Sequence, residues 1–249
     1  MISQYNKNKE TLRLLTGGAC NIVCYGPLEF YFSGLKKSFE SDDIKVFDVT
    51  ESFNKSKDID IEMIPSVFIC FSPQNAYHFS KYCEEREIPF VYVVRDWPKT
   101  NQQAANFRSF VSKNLNCKDV VFYNSHHCNS WGFGGTNSSM VEPCVSQKIT
   151  SDENIFVKPQ ATKEELLNAM ASGLVVVTSA NNPSAQQLIV QNQNGLLVKS
   201  EQEKELVLEA IKKSQIDTKT MSKNAIQSAS RECFSLKEFT SGWKKILEN

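Results

Sequence analysis

Asn168-Ala169-Met170-Ala171-Ser172-Gly173-Leu174-Val175-Val176-Val177-Thr178 is the stretch on which the fold turns. Gly173 can take the left-handed conformation that closes a helix, and an unbroken apolar run begins immediately after it. The small side chains of Ala169, Ala171 and Ser172 let the end of that helix approach a sheet closely. The segment therefore predicts a helix through Leu166, Leu167 and Met170 that leads straight into a buried strand over Leu174 to Val177.

The same alternation runs outward in both directions. Short β-branched or aromatic runs stand at Asn21 to Tyr25, Ile44 to Val49, Ser66 to Phe71, Phe90 to Val94 and Asp119 to Tyr123, with amphipathic segments between them. Ile155 to Val157 and Gly195 to Val198 flank the opening stretch, and a helix follows through Leu206, Ala210 and Ile211. Strands alternating with helical segments specify an α/β fold of parallel strands joined by crossover helices. Phe90 to Val94 is apolar on both faces, which predicts a central strand. Two more helices close the chain, the last carrying Phe239, Trp243, Ile246 and Leu247 on one stripe. The polar, aperiodic stretch Val145 to Glu153 sets the expected boundary, with residues 1–145 as a first Rossmann-like domain and 146–249 as a second.

The bulk numbers narrow the class of partner. With 249 residues, 41% of them hydrophobic, the chain can bury one or two ordinary cores. Lys+Arg and Asp+Glu balance at 28 each, so no chain-wide basic field exists to hold a polyanion by counterion release. Eight scattered cysteines with no CxxC pair read as thiols in a reducing compartment, so a cytoplasmic location is expected. No apolar run reaches the roughly 20 residues that cross a bilayer, and Met1 to Arg13 is too polar for a signal peptide. No cluster of metal-ligand residues stands out, and neither a metal nor a bound cofactor is expected to be required.

Taken with Gln187-Leu188-Ile189 and Asn194-Gly195-Leu196-Leu197-Val198, the opening stretch resembles the donor-binding domain of the retaining glycosyltransferases of family 4. The usual text of that GT-B family runs E-A-M-A-S-G-x-P-V-V, then E-L-I, then N-G-x-L-V. The resemblance implies two Rossmann-like domains facing a cleft, with a nucleoside diphosphate sugar held in it and helix-start amides on its diphosphate. Phe234-Ser235-Leu236 with Trp243 and Ile246 is similar to the family's closing helices, which return to the first, acceptor-side domain. Gly34 to Phe39 reads as a helix after the turn Gly26-Pro27, while Gly26-Pro27 with Ser33-Gly34 looks like the family's glycine-containing loop after strand one. Arg95-Asp96-Trp97 falls where many members place a His-Asp pair, and Asn124-Ser125-His126-His127 resembles the strand that ends in serine.

The departures are as informative. The family's two donor-side glutamates, eight positions apart, read Gln160 and Asn168 here, and the E-L-I glutamate reads Gln187. An amide hydrogen-bonds hydroxyls but accepts no proton and brings no charge to a developing oxocarbenium ion. Between Pro143 and Asn168 there is too little chain for the strands and the Arg/Lys pair that normally hold the diphosphate, so the second domain is expected to be reduced. The resemblance thus assigns Asp96, Arg95 and His126 to catalysis. Gly26, Gly34, Lys158, Gln160, Asn168 and Gln187 go to donor binding, with Lys148 behind Lys158.

Each assignment has a plainer counterpart. His126-His127 also reads as a solvent-facing pair, His78 as part of an amphipathic helix, Gly132-Phe133-Gly134-Gly135 as a loop, and Lys244-Lys245 as a solvated face. The expected activity is transfer of a sugar from a nucleoside diphosphate donor to a hydroxyl. The acceptor would be a glycan, a lipopolysaccharide or, given the high Asn and Lys usage, a hydroxymethylated phage DNA base. The rival expectation is a non-catalytic nucleotide-sugar-binding or partner subunit that kept the fold and lost the acids.

Overall fold

Every strand expected from the apolar runs forms, with ends shifted by a residue or two. The computed structural model describes residues 20–26, 29–40, 44–56, 65–133, 138–151 and 154–248. Pro27, Gly134, Gly135 and the polar start of the chain lie outside the described residues. The chain divides into two units, one from Met1–Glu142 together with Phe239–Asn249 and the other from Pro143–Glu238.

In chain order the first unit contains β1 (Cys20–Tyr25), α1 (Glu29–Phe39), β2 (Ile44–Asp48), α2 (Thr50–Ser56), β3 (Val67–Cys70) and α3 (Ala76–Glu85). β4 (Phe90–Val93), α4 (Asn101–Asn114), β5 (Asp119–Phe122), α5 (Ser125–Ser130) and β6 (Ser138–Met140) complete its sheet. The strands are all parallel in the order β2-β1-β3-β4-β5-β6. Order therefore reverses beside β1, and the carboxyl ends of β1, β3, β4 and β5 share one edge, where open α/β sheets bind ligands. β4 is fully buried between β3 and β5, as its apolar run predicts. Short α2, α5 and β6 were not expected: β6 reads Ser-Ser-Met and pairs only on one side, so it carries no apolar signature.

Aromatic rings fill both faces of this sheet. Phe68, Phe79, Phe90 and Phe122 are buried within one cluster, where Tyr25 meets Phe79 at 4.4 Å between ring centroids. Tyr31, Phe71 and Phe239 also pack edge to face.

The second unit contains β7 (Ile155–Val157), α6 (Lys163–Ala171), β8 (Val175–Ser179), α7 (Pro183–Leu188), β9 (Leu196–Val198), α8 (Glu201–Lys212) and α9 (Thr218–Ala229). Its described strands form a parallel sheet in the order β7-β8-β9. The junction at Gly173 is built as its sequence requires: φ is +78°, and the carbonyl accepts from Ser222 Oγ at 2.6 Å. Ala169, Ala225 and Ala229 are buried, so small side chains let α6 and α9 approach closely.

A 3-10 turn at Glu232–Phe234 precedes the last helix, α10 (Leu236–Glu248). From Phe239 onward α10 belongs to the first unit: Trp243 is 0% exposed and donates its indole N–H to Tyr31 Oη at 3.2 Å. Among the described residues no helix is long and apolar enough to cross a membrane.

Candidate functional site

The carboxyl edge of the first unit's sheet gathers the chemistry. β1 runs out into Gly26, whose φ of +69° is one that side chains rarely adopt. A Cβ placed there would lie 3.1 Å from that of Ser72, which follows β3, so the two strand ends approach at a residue without a side chain. The Gly26 N–H donates to Thr50 Oγ1 at 2.7 Å, and Thr50 is itself held by Asp48 at the end of β2. Gly34 is buried in the middle of α1, as the helix read through Gly34 to Phe39 requires and unlike the loop that the resemblance implies, because the periodicity that buries Tyr31, Leu35 and Phe39 carries it onto the same face.

Arg95, Asp96 and Trp97 follow β4. Arg95 is half-buried, and its Nε is enclosed with no hydrogen-bond partner among the described residues. A guanidinium group in this condition has unspent donor capacity and fixed charge, which suits an anionic oxygen. Burial pushes the neighbouring Cys70 thiol up to about 12, against the pull of the Ser72 backbone and the Arg95 cation, so Cys70 offers no thiolate near neutrality. Burial likewise raises the Tyr92 phenol. Asp96 is exposed at the start of the loop to α4.

The two histidines after β5 separate sharply. Asn124 caps α5 by accepting the His127 N–H at 2.9 Å. One turn of helix then turns neighbouring side chains to different sides: His126 is exposed and His127 is 0% exposed. His127 Nδ1 accepts from the Tyr123 N–H at 3.3 Å and Nε2 donates to the Asp96 carbonyl at 2.8 Å, which fixes the neutral Nε2–H tautomer. The solvent-facing reading of the pair thus holds for His126 alone. Trp97 packs against both imidazoles, with centroids 5.4 Å from His126 and 4.5 Å from His127.

In the second unit the donor-side candidates fare unevenly. Gln160 is exposed at the turn before α6. Lys158 is half exposed, and its Nζ lies 2.6 Å from Glu165 Oε1. The same carboxylate accepts the Thr162 N–H through Oε2 at 2.9 Å, completing a capping box with Thr162. Gln187 lies on α7, where its Oε1 accepts from Lys163 Nζ at 3.2 Å. Lys163 is 2% exposed, and its ammonium also sits 5.8 Å from the Phe234 ring. Sequence reasoning passed over Lys163 because a lysine in the first turn of a helix ordinarily faces water.

Asn168 departs furthest from expectation. Its side chain is 0% exposed. Oδ1 accepts the N–H groups of Ser146 at 2.9 Å and Gln147 at 2.7 Å, and Nδ2 donates to the Glu164 carbonyl at 2.8 Å. The position that faces donor in the resembling family is filled here by the chain's own backbone, and Asn168 is a bracket between α6 and the segment before β7. Among the described residues no three His, Cys, Asp or Glu side chains gather as a metal-binding group.

No protein-family profile matches this chain, and no curated protein matches its sequence significantly. Solved structures do resemble it. HepE of Anabaena, crystallised with UDP-glucose, superposes with a TM-score of 0.58 at 12% identity, covering 92% of this chain and 98% of that one. A glycosyltransferase of Rickettsia africae gives 0.55 at 10% identity over 92% and 98% of the two chains. TarM gives 0.52 at 10% identity over 74% of this chain and 55% of its own. At these identities the likeness is one of fold: the chain has the α/β, parallel-sheet fold of the GT-B glycosyltransferases.

Proposed function

We propose that this protein is a nucleotide-sugar-dependent glycosyltransferase that transfers the sugar of a nucleoside diphosphate donor to a hydroxyl acceptor. The observation that carries the reading is Arg95, a cation with an enclosed, unspent N–H at the ligand-binding edge of a sheet whose fold matches a protein crystallised with UDP-glucose. In the reaction the acceptor hydroxyl attacks the anomeric carbon, the bond to the diphosphate oxygen breaks, and the diphosphate leaves with the electron pair. Arg95 meets the donor diphosphate, and Gly26 keeps the first strand end open to it. Asp96 takes the acceptor proton, and His126 orients the hydroxyl. Lys158 reaches a phosphate only by leaving Glu165.

A second reading, a nucleotide-sugar-binding subunit without turnover, is favoured by one specific set of residues. Gln160 and Gln187 carry no charge, and Lys158 is already paired. Thermal shift with UDP and UDP-glucose, followed by an assay for released UDP, separates the two. A ligand at a hundred times its Kd stabilises the native state by about 2.7 kcal/mol, and Arg95→Ala should abolish that shift. Binding with UDP release supports the enzyme, binding without it supports the subunit, and no shift from either ligand refutes both.

A further inference from the structure

The carbonyl oxygen of Asp96 is held from two sides. His127 Nε2 donates to it at 2.8 Å and Trp131 Nε1 at 2.7 Å, both from residues at most 4% exposed. These two donors are themselves fixed. His127 is held through Nδ1 by the Tyr123 N–H at the end of β5, and its ring stacks on Tyr123 at 4.9 Å. Trp131 forms the C-terminal cap of α5; its ring lies 4.6 Å from Phe107 of α4, and its carbonyl accepts from Arg108 Nη1 at 2.9 Å. One exposed loop peptide is therefore tied to β5, α5 and α4 at a single atom.

Such anchoring is more than a loop needs in order to stay folded. Asp96 and Arg95 sit on either side of their shared peptide, so fixing the following carbonyl fixes the directions in which the carboxylate and the guanidinium leave the backbone. A group that must meet a reacting atom within hydrogen-bond distance loses rate when its support is loose. We infer that His127 and Trp131 are positioning residues that jointly orient the Arg95–Asp96–Trp97 segment for the chemistry assigned to it. The inference rests on the glycosyltransferase reading for its functional consequence. Its structural core does not.

The test uses the full chain with Trp131→Phe, which deletes one N–H and keeps the ring on Phe107, with His127→Phe, and with His127→Gln, which restores an N–H near the Nε2 position. Backbone amide hydrogen exchange across 95–99 and hydrolysis of UDP-glucose are both followed. Losing one hydrogen bond of ordinary strength should speed local exchange in Trp131→Phe roughly five- to tenfold, with β1 to β4 unchanged. A matching fall in kcat with KM unchanged is the mark of misplaced reacting groups rather than lost donor binding. His127→Gln should recover both readouts relative to His127→Phe. Unchanged exchange at 95–99 in Trp131→Phe overturns the inference, as does acceleration spread over the whole unit or a loss carried by KM. If the unaltered chain neither binds UDP nor hydrolyses UDP-glucose, the functional reading fails, and exchange alone then decides whether the clamp exists. Should His127→Phe fail to fold, Trp131→Phe carries the decision.

Discussion

Replacing Asn168 by glutamate, the residue the resembling glycosyltransferases carry, should cripple stability rather than raise activity. The wild-type amide fills a space with 0% exposure and answers three backbone groups. Asn168→Ala strips the Ser146 and Gln147 N–H groups of their acceptor, and each buried unpaired donor costs about 1–3 kcal/mol, so the sum is roughly 2–6 kcal/mol. Asn168→Glu keeps an acceptor but adds a methylene where nothing yields, about 1–3 kcal/mol, and buries a carboxylate beside the Glu164 carbonyl that Nδ2 had satisfied. Its penalty should equal or exceed that of alanine. In a unit of this size about 1 kcal/mol moves Tm by roughly 4–8 °C, so both variants should melt roughly eight degrees or more below wild type. Differential scanning calorimetry of the full chain, with urea denaturation to check m, measures this directly. An Asn168→Glu variant that melts with wild type and releases UDP faster would show that the side chain faces donor and is no bracket.

Three further perturbations test neighbouring parts of the argument. Glu165→Gln keeps the capping box, which accepts either residue, while freeing Lys158; because a half-exposed ion pair is worth at most about 1 kcal/mol, UDP should bind up to about fivefold tighter by calorimetric titration. Weaker or unchanged binding would remove Lys158 from the donor contacts. Burial raises the Asp119 carboxyl above its ordinary range, so the folded state holds that proton more tightly than the unfolded chain, and the contribution is present at low pH and fades as pH rises through the folded value. Relative to Asp119→Asn, wild type should therefore gain stability on acidification from neutrality to about pH 4, and a gap that stays flat in pH-dependent melts would contradict this. Gly26→Ala forces a side chain into φ +69° against Ser72 and should cost about 1–2 kcal/mol in urea denaturation, whereas no loss would mean that the turn relaxes freely.

What the sequence determined by itself was the local order of elements. Buried parallel strands are apolar on both faces, so the runs at Phe90, Asp119 and Val175 announced themselves, and Gly173 marked its helix end because only a residue without a Cβ takes φ +78° freely. The same signal missed β6, whose Ser-Ser-Met has no apolar alternation to read. The helix through Gly34 was legible from Leu35 and Phe39 at helical spacing, and only the likeness to a family loop pointed the other way.

Only the tertiary structure decided which polar groups face a ligand and which hold the protein together. Asn168 owes its burial to amides at Ser146 and Gln147, and His127 owes its fixed tautomer to a carbonyl at Asp96, partners far away in sequence that no periodicity can register. Lys158 looks like a free cation until the capping carboxylate of Glu165 arrives beside it. Hydrophobic pattern is a property of one segment and its face, legible along a line. A polar side chain's role depends on which hydrogen-bonding partners the fold brings to it, and those are fixed only when the strands have found their order.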